Sequence, residues 1–204
     1  MDAQTDILKR GLEHAALAVM GASALANLHL GPKRIGRGLA QRVSGRLRIL
    51  ETIVRRLILV MALSLSPAPT LPRPANPAPE PDLPEGVELA IFPRLSPRRL
   101  KLLPARQAFE GPGGFPDISG TSYGPVSPHK LMARIAALRR VIAAPEAHAT
   151  RLARTLNHLQ KNGEPKPTVG AATPAFRLSP ELGALAAMLP AQISAGLETW
   201  ESSG

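Results

Sequence analysis

The stretch KRIGRGLAQRVSGRLRILETIVRRLILVMALSLS, residues 33–66, decides the fold. Leu39, Val43, Leu47, Leu50, Val54, Leu57, Met61 and Leu65 follow one another at steps of three or four, which lays a single apolar stripe along a helix. Lys33, Arg34, Arg37, Arg42, Arg46, Arg48, Arg55 and Arg56 lie mostly off that stripe, and Glu51 is the one acid among them. Over residues 57–65 the apolar face widens to the whole circumference apart from Ser64. These nine residues would rise about 14 Å as a helix, whereas a bilayer core needs about 20 residues. Extending the run upstream places Arg55, Arg56 and Glu51 in hydrocarbon, and extending it downstream meets Pro67. A membrane span is therefore not expected. Two readings remain: an interfacial helix that lays its apolar face on an anionic leaflet, and a helix that packs its stripe into a bundle while arginine stems cover the flanks.

Upstream, residues 5–30 read as a helix carrying Ile7, Leu8, Leu12, Ala15, Ala16, Val19, Ala22 and Ala26 inward, with Gly31-Pro32 as its stop. Ala22-Ser23-Ala24 resembles a signal cleavage site, but Asp2, Asp6 and Glu13 precede it where an export signal starts positive, so no leader is expected.

Downstream, residues 67–84 contain eight prolines, a polyproline II spacer. Residues 86–103 offer a short alternating piece and then a helical turn beginning at Ser96-Pro97, and residues 109–125 read as a glycine-rich loop. Order is expected to return at Ser127, an N-cap with Pro128 in the first helical position. Leu131, Ile135, Leu138 and Ile142 form one stripe; Ala149, Leu152, Leu156 and Leu159, after Pro145, form a second that closes at Asn162-Gly163. The pair reads as an αα-hairpin whose stripes bury on each other. Ser179-Pro180-Glu181 opens a last helix through Leu182, Leu185, Leu189, Ile193 and Leu197, kinked or divided at Pro190.

The expected architecture is mainly α: helical hairpins or a small bundle joined by long Pro/Gly-rich, partly disordered linkers. Its divisions are an N-terminal helical pair at 1–66, an irregular linker at 67–126, a basic hairpin at 127–163, a linker at 164–178 and a C-terminal helix at 179–204. Composition agrees with this class. The chain of 204 residues has 22 Pro and 17 Gly but only one Trp, one Tyr and four Phe, so its core draws on Ala, Leu, Ile and Val, which helices pack well. The dominance of Arg over Lys, with abundant Ala and Pro, points to a GC-rich bacterial genome.

Charge narrows the function. The net +10 is concentrated in residues 33–66, with eight basic residues and one acid, and in residues 128–163, with seven and one. An electrostatic partner meets those segments first. Neither holds a Phe, Tyr or Trp, so the stacking platform of single-strand and RNA binders is missing. Gly120-Thr121-Ser122-Tyr123-Gly124 fits the G-x-S-x-G nucleophile elbow, but Pro116 and Pro125 flank it and neither the strand before nor the helix after can form. With no Cys there is no thiolate chemistry, and His14, His29, His129, His148 and His158 show no metal-ligand spacing. The expectation is a non-enzymatic interaction or scaffold protein without metal or cofactor. Lys33, Arg34, Arg37, Arg42, Arg46, Arg48, Arg55 and Arg56 would bind an anionic membrane surface or an acidic protein, in the cytoplasm and at the inner membrane face. The alternative is a nonspecific nucleic-acid-associated protein using both basic segments.

Overall fold

A computed structural model describes residues 3–66, 98–103, 124–167, 178–198 and 200. Among them the protein is mainly helical: α1 Ala3–Ala24, α2 Arg37–Leu63, α3 His129–Ala143, α4 Pro145–Lys161 and α5 Pro180–Gly196, with a 3₁₀ turn at Leu28–Leu30. No strand forms among these residues. The one β-type pairing is an isolated antiparallel bridge in which the Ile35 and Val126 amides each donate to the other's carbonyl at 2.9 and 2.8 Å. It fastens the starts of α2 and α3 together.

The long stripe of α2 occupies the middle of the bundle. Val43, Leu47, Leu50, Val54 and Leu57 are buried, Leu39 and Met61 are half-buried, and Leu65 is exposed beyond the helix end. All four other helices pack on α2. That arrangement explains the widening of the apolar face: Ile53, Ile58, Val60 and Ala62 are also buried, because helices close around the C-terminal half from several sides. α1 and α5 run antiparallel, with Gly11 against Leu185 and Gln4 and Ile7 beside Gln192 and Gly196. A Cβ on Gly11 would lie 2.7 Å from a Leu185 methyl and 3.2 Å from one of Leu57, so glycine there lets three helices meet.

Several sequence expectations are corrected. The first helix ends at Ala24 and not at Leu30, because Asn27 takes a left-handed conformation (φ 48°), turning the chain into the 3₁₀ segment before Gly31 (φ 62°). Ile7, expected inward, is exposed. α3 and α4 do not bury their stripes chiefly on each other: both face α2, and α3 also packs on α1, because the tight connection at Ala144 splays the pair over a shared core. The α3 cap sits at Pro128, with the Ser127 hydroxyl 3.5 Å from the His129 amide. Residues 98–103 are irregular, with Leu100, Leu102 and Leu103 packed on the core, and Ser96-Pro97, the expected start of a helical turn, lie outside the described residues. The α4 end follows its reading, with Gly163 left-handed (φ 67°) and the Glu164 amide donating to Leu159. α5 continues through Pro190 without dividing, and Ser179 caps it, its hydroxyl accepting from the Leu182 amide at 3.4 Å. Past α5, the Trp200 indole N–H donates to the Glu164 carbonyl at 3.1 Å. The proline tract at 67–84 lies outside the described residues.

Candidate anionic-partner interface

The polar residues of α2 form a second ladder beside the apolar one. Arg37, Gln41, Ser44, Arg48, Glu51 and Arg55 step by four and three, which keeps them on one side of the helix. On that side a seam forms: Ser44 and Glu51 meet Arg134 of α3 and Arg55 meets the Lys101 carbonyl, while Arg37, Gln41 and Arg48 are exposed.

Its centre is Glu51, the only acid of the helix and almost fully buried. Arg134 of α3 grips it in a two-pronged contact, Nε to Oε1 at 2.8 Å and Nη2 to Oε2 at 3.1 Å, and donates through Nη1 to the Ser44 hydroxyl at 2.8 Å. Arg55 approaches the same carboxylate at 3.7 Å and donates from Nε to the Lys101 carbonyl at 2.7 Å. Arg140 donates from Nη2 to the Arg98 carbonyl at 2.6 Å. Guanidinium groups of α2 and α3 thus hold the backbone of residues 98–103 against the bundle, where the leucines of that segment add burial. Planar forks with several donors suit this task, since one arginine can satisfy a carboxylate and another polar group at once.

The eight basic residues expected to bind a partner divide accordingly. Lys33, Arg34, Arg37, Arg42, Arg46 and Arg48 are exposed at the N-terminal end of α2. Arg55 is engaged in the seam, and burial pulls its guanidinium below its ordinary value, Glu51 opposing the shift and Arg134 adding to it. Arg56 is only 9% exposed and is likewise pulled down by burial. On the hairpin, Arg134 is spent on Glu51, whereas Arg139, Arg140, Arg151 and Arg154 are exposed.

Sequence reasoning placed Arg134 in a general basic face and missed its pairing with Glu51, 83 positions away. A lone acid among eight bases, on a ladder of its own beside the apolar stripe, was the available signal.

At the upper end of the seam the starts of α2 and α3 border an open cleft of about 730 Å³. Arg37, Ala40, Gln41 and Ser44 line it from α2; Ser127, His129, Lys130, Leu131 and Arg134 from the α3 side; Arg98 and Val126 complete it. No carboxylate is among these residues.

The other candidates resolve differently. His158 has its Nε2 3.1 Å from the Asn162 side-chain amide at the α4 end. Burial, with Arg151 and Arg140 nearby, lowers the His148 pKa from its ordinary 6.5. No group of three His, Asp or Glu among the described residues is placed to hold a metal, and no helix there is long and apolar enough to cross a membrane. Ser122 and its G-x-S-x-G string lie outside the described residues apart from Gly124. Comparison with family models, curated proteins and solved structures returns no match, so the reading of this interface rests on its own residues.

Proposed function

We propose that this protein is a non-enzymatic interaction module that docks on an anionic surface through the N-terminal half of α2. The observation that carries this reading is a division of labour: the apolar stripe of α2 is enclosed by the bundle while Lys33 and Arg34, just before the helix, and Arg37, Arg42, Arg46 and Arg48 within it are exposed. Burial of Leu50, Val54 and Leu57 takes the apolar stripe of α2 out of reach of lipids. Contact with a membrane is then electrostatic, in the manner of a polybasic patch, where each residue contributes about 1 kcal/mol. It falls off with salt, since exposed charges separated by more than about 8 Å are screened at physiological ionic strength.

Co-sedimentation with vesicles tests it. Binding is expected to vesicles of phosphatidylcholine with phosphatidylserine and not to phosphatidylcholine alone, and to weaken steeply as salt rises. Replacing Arg42, Arg46 and Arg48 together by Gln should reduce it by about a hundredfold, following the contribution per residue. Equal binding to both vesicle types, or to neither, rejects the membrane form.

Duplex nucleic acid is the second reading, favoured by the exposure of Arg139, Arg151 and Arg154, which adds a second basic face. A shallow dependence of log K on log salt would count against it, because neutralising several phosphates gives a steep slope.

A further inference from the structure

The end of α1 and the turn that follows it carry an apolar surface of their own. Leu17, Met20, Gly21, Ala24 and Leu25 fall at helical spacings that place them on one side, and all five are exposed. Leu17 is 60% and Met20 49% exposed, and Leu30 beyond them reaches 73%, the highest value among the large apolar side chains described. The opposite side of the same stretch is what packs, with Ala15, Val19, Ala22, Ala26 and Leu28 buried. Residues 15–28 hold no charged side chain, so this part of the chain is apolar all round. A helix of that kind is one that has cover on more than one side.

Fixed geometry holds Leu30 outward. Buried Leu28 anchors the 3₁₀ turn, in which the Leu30 amide donates to the Asn27 carbonyl at 3.0 Å and the Gly31 amide to the Leu28 carbonyl at 3.2 Å. Left-handed Asn27 and Gly31 bracket the turn, and Ile35 is pinned to Val126 just beyond it. Lys33 and Arg34, both exposed, lie between Leu30 and that pin.

We infer that this face enters the headgroup layer of an anionic membrane, with Leu30 as its leading side chain and Lys33 and Arg34 meeting lipid phosphates beside it. The inference rests on the anionic-surface reading and adds to the charge of α2 an apolar contact that α2 itself does not offer. Single exposed apolar side chains are ordinary, whereas a cluster with a polar rim marks an interaction site. The rim selects the occupant. A second copy on this face would bring two sets of Lys33 and Arg34 to one interface in a chain of net charge +10, whereas an anionic leaflet attracts the same cations. Apolar side chains beside basic ones are the composition of interfacial segments, which sink about 5–10 Å into the boundary between headgroups and acyl chains.

The chain has no cysteine, so Leu30→Cys carries a polarity-sensitive dye without a competing thiol. On vesicles of phosphatidylcholine with phosphatidylserine, the emission of the labelled full chain is expected to shift to the blue and to be quenched by nitroxides on the acyl chains. The same dye at Asn157→Cys, exposed on α4, should stay in water. Leu30→Ser and Leu17→Gln should each weaken vesicle affinity about tenfold, the effect of withdrawing one apolar side chain, and leave the vesicle-free Tm unchanged. Salt-sensitive docking with full affinity in both variants and the dye in water overturns the inserted face and leaves the surface reading standing. Insertion that is equal on phosphatidylcholine alone and indifferent to salt removes the anionic surface from both. No docking to either vesicle rejects the surface reading, and the inserted face falls with it. Blue emission before vesicles are added means that protein already covers the face: a second copy if the shift grows with concentration, the chain itself if it does not. Either overturns the lipid.

Discussion

The two halves of α2 share one apolar stripe and both carry arginine, Arg37, Arg42, Arg46 and Arg48 in the first and Arg55 and Arg56 in the second, yet they live in different surroundings. In the first half Arg42, Arg46 and Arg48 point to solvent and Leu39 is only half-buried; in the second, Arg56 is buried and Ile53, Leu57 and Ile58 are inaccessible. The helix itself is regular throughout. The difference is made by what packs on it, since α1 meets Leu57 at Gly11 and α5 meets Leu63 at Gly196, at the end that carries apolar residues all round. A basic amphipathic helix is therefore not by itself a membrane-binding one: where a bundle takes the apolar face, only the charge is left to act outside.

The sharpest way to break this contrast is to empty a position in the enclosed half. Leu57→Ala should cost about 2–5 kcal/mol, the range for truncating a buried leucine, as read from denaturant unfolding. Leu39→Ala, in the open half, should cost clearly less. The seam between the halves comes next. Glu51→Gln leaves Arg134 and Arg55 facing a neutral amide, at an expected loss of about 2–4 kcal/mol. Combining Glu51→Leu with Arg134→Met should recover much of that, and failure to recover would mean the seam holds the fold by more than mutual compensation. In the open half, the triple replacement of Arg42, Arg46 and Arg48 by Gln should alter stability by no more than about 0.5 kcal/mol, as for surface substitutions generally, while it removes docking. A large loss of stability there would erase the distinction between the two halves. The smallest expected effect belongs to His148. Its pKa is lowered in the folded state, so the unfolded chain binds more protons and stability falls as pH drops through 6.5, levelling off below the folded value. His148→Gln should flatten that slope in a Tm-against-pH series.

Much of this fold is legible in the sequence because its stripes are long. The α2 ladder of leucine and valine locates a helix and its buried side, and Pro145 and Gly163 bracket α4 through local chemistry. What the stripes pack on is another matter. Leu131 and Leu152 carry no mark saying that α2, and not each other, will cover them; that depends on the geometry of the turn at Ala144. The end of α1 was hidden for a similar reason. Apolar periodicity runs on through Ala26, past the helix end at Ala24, whereas the turn is set by a single backbone conformation at Asn27. At the interface, exposure of the early arginines follows from their lying off the stripe, but the engagement of Arg55 and Arg134 and the burial of Arg56 do not. Each depends on a neighbour brought close only by the fold: Glu51 for Arg134, the Lys101 carbonyl for Arg55, and the enclosing helices for Arg56.

The bond from the Trp200 indole to the Glu164 carbonyl makes the chain its own spectroscopic probe. Trp200 is the only tryptophan and Tyr123 the only tyrosine, so red-edge excitation selects one site 36 residues beyond its partner. Its emission reports whether the tail of α5 is seated beside the end of α4, and is blind to the middle of α2. Unfolding followed by emission and by helical dichroism should superimpose if the bundle melts as one cooperative unit. Separation of the two curves would show the last helix leaving first, with the α2 core still assembled.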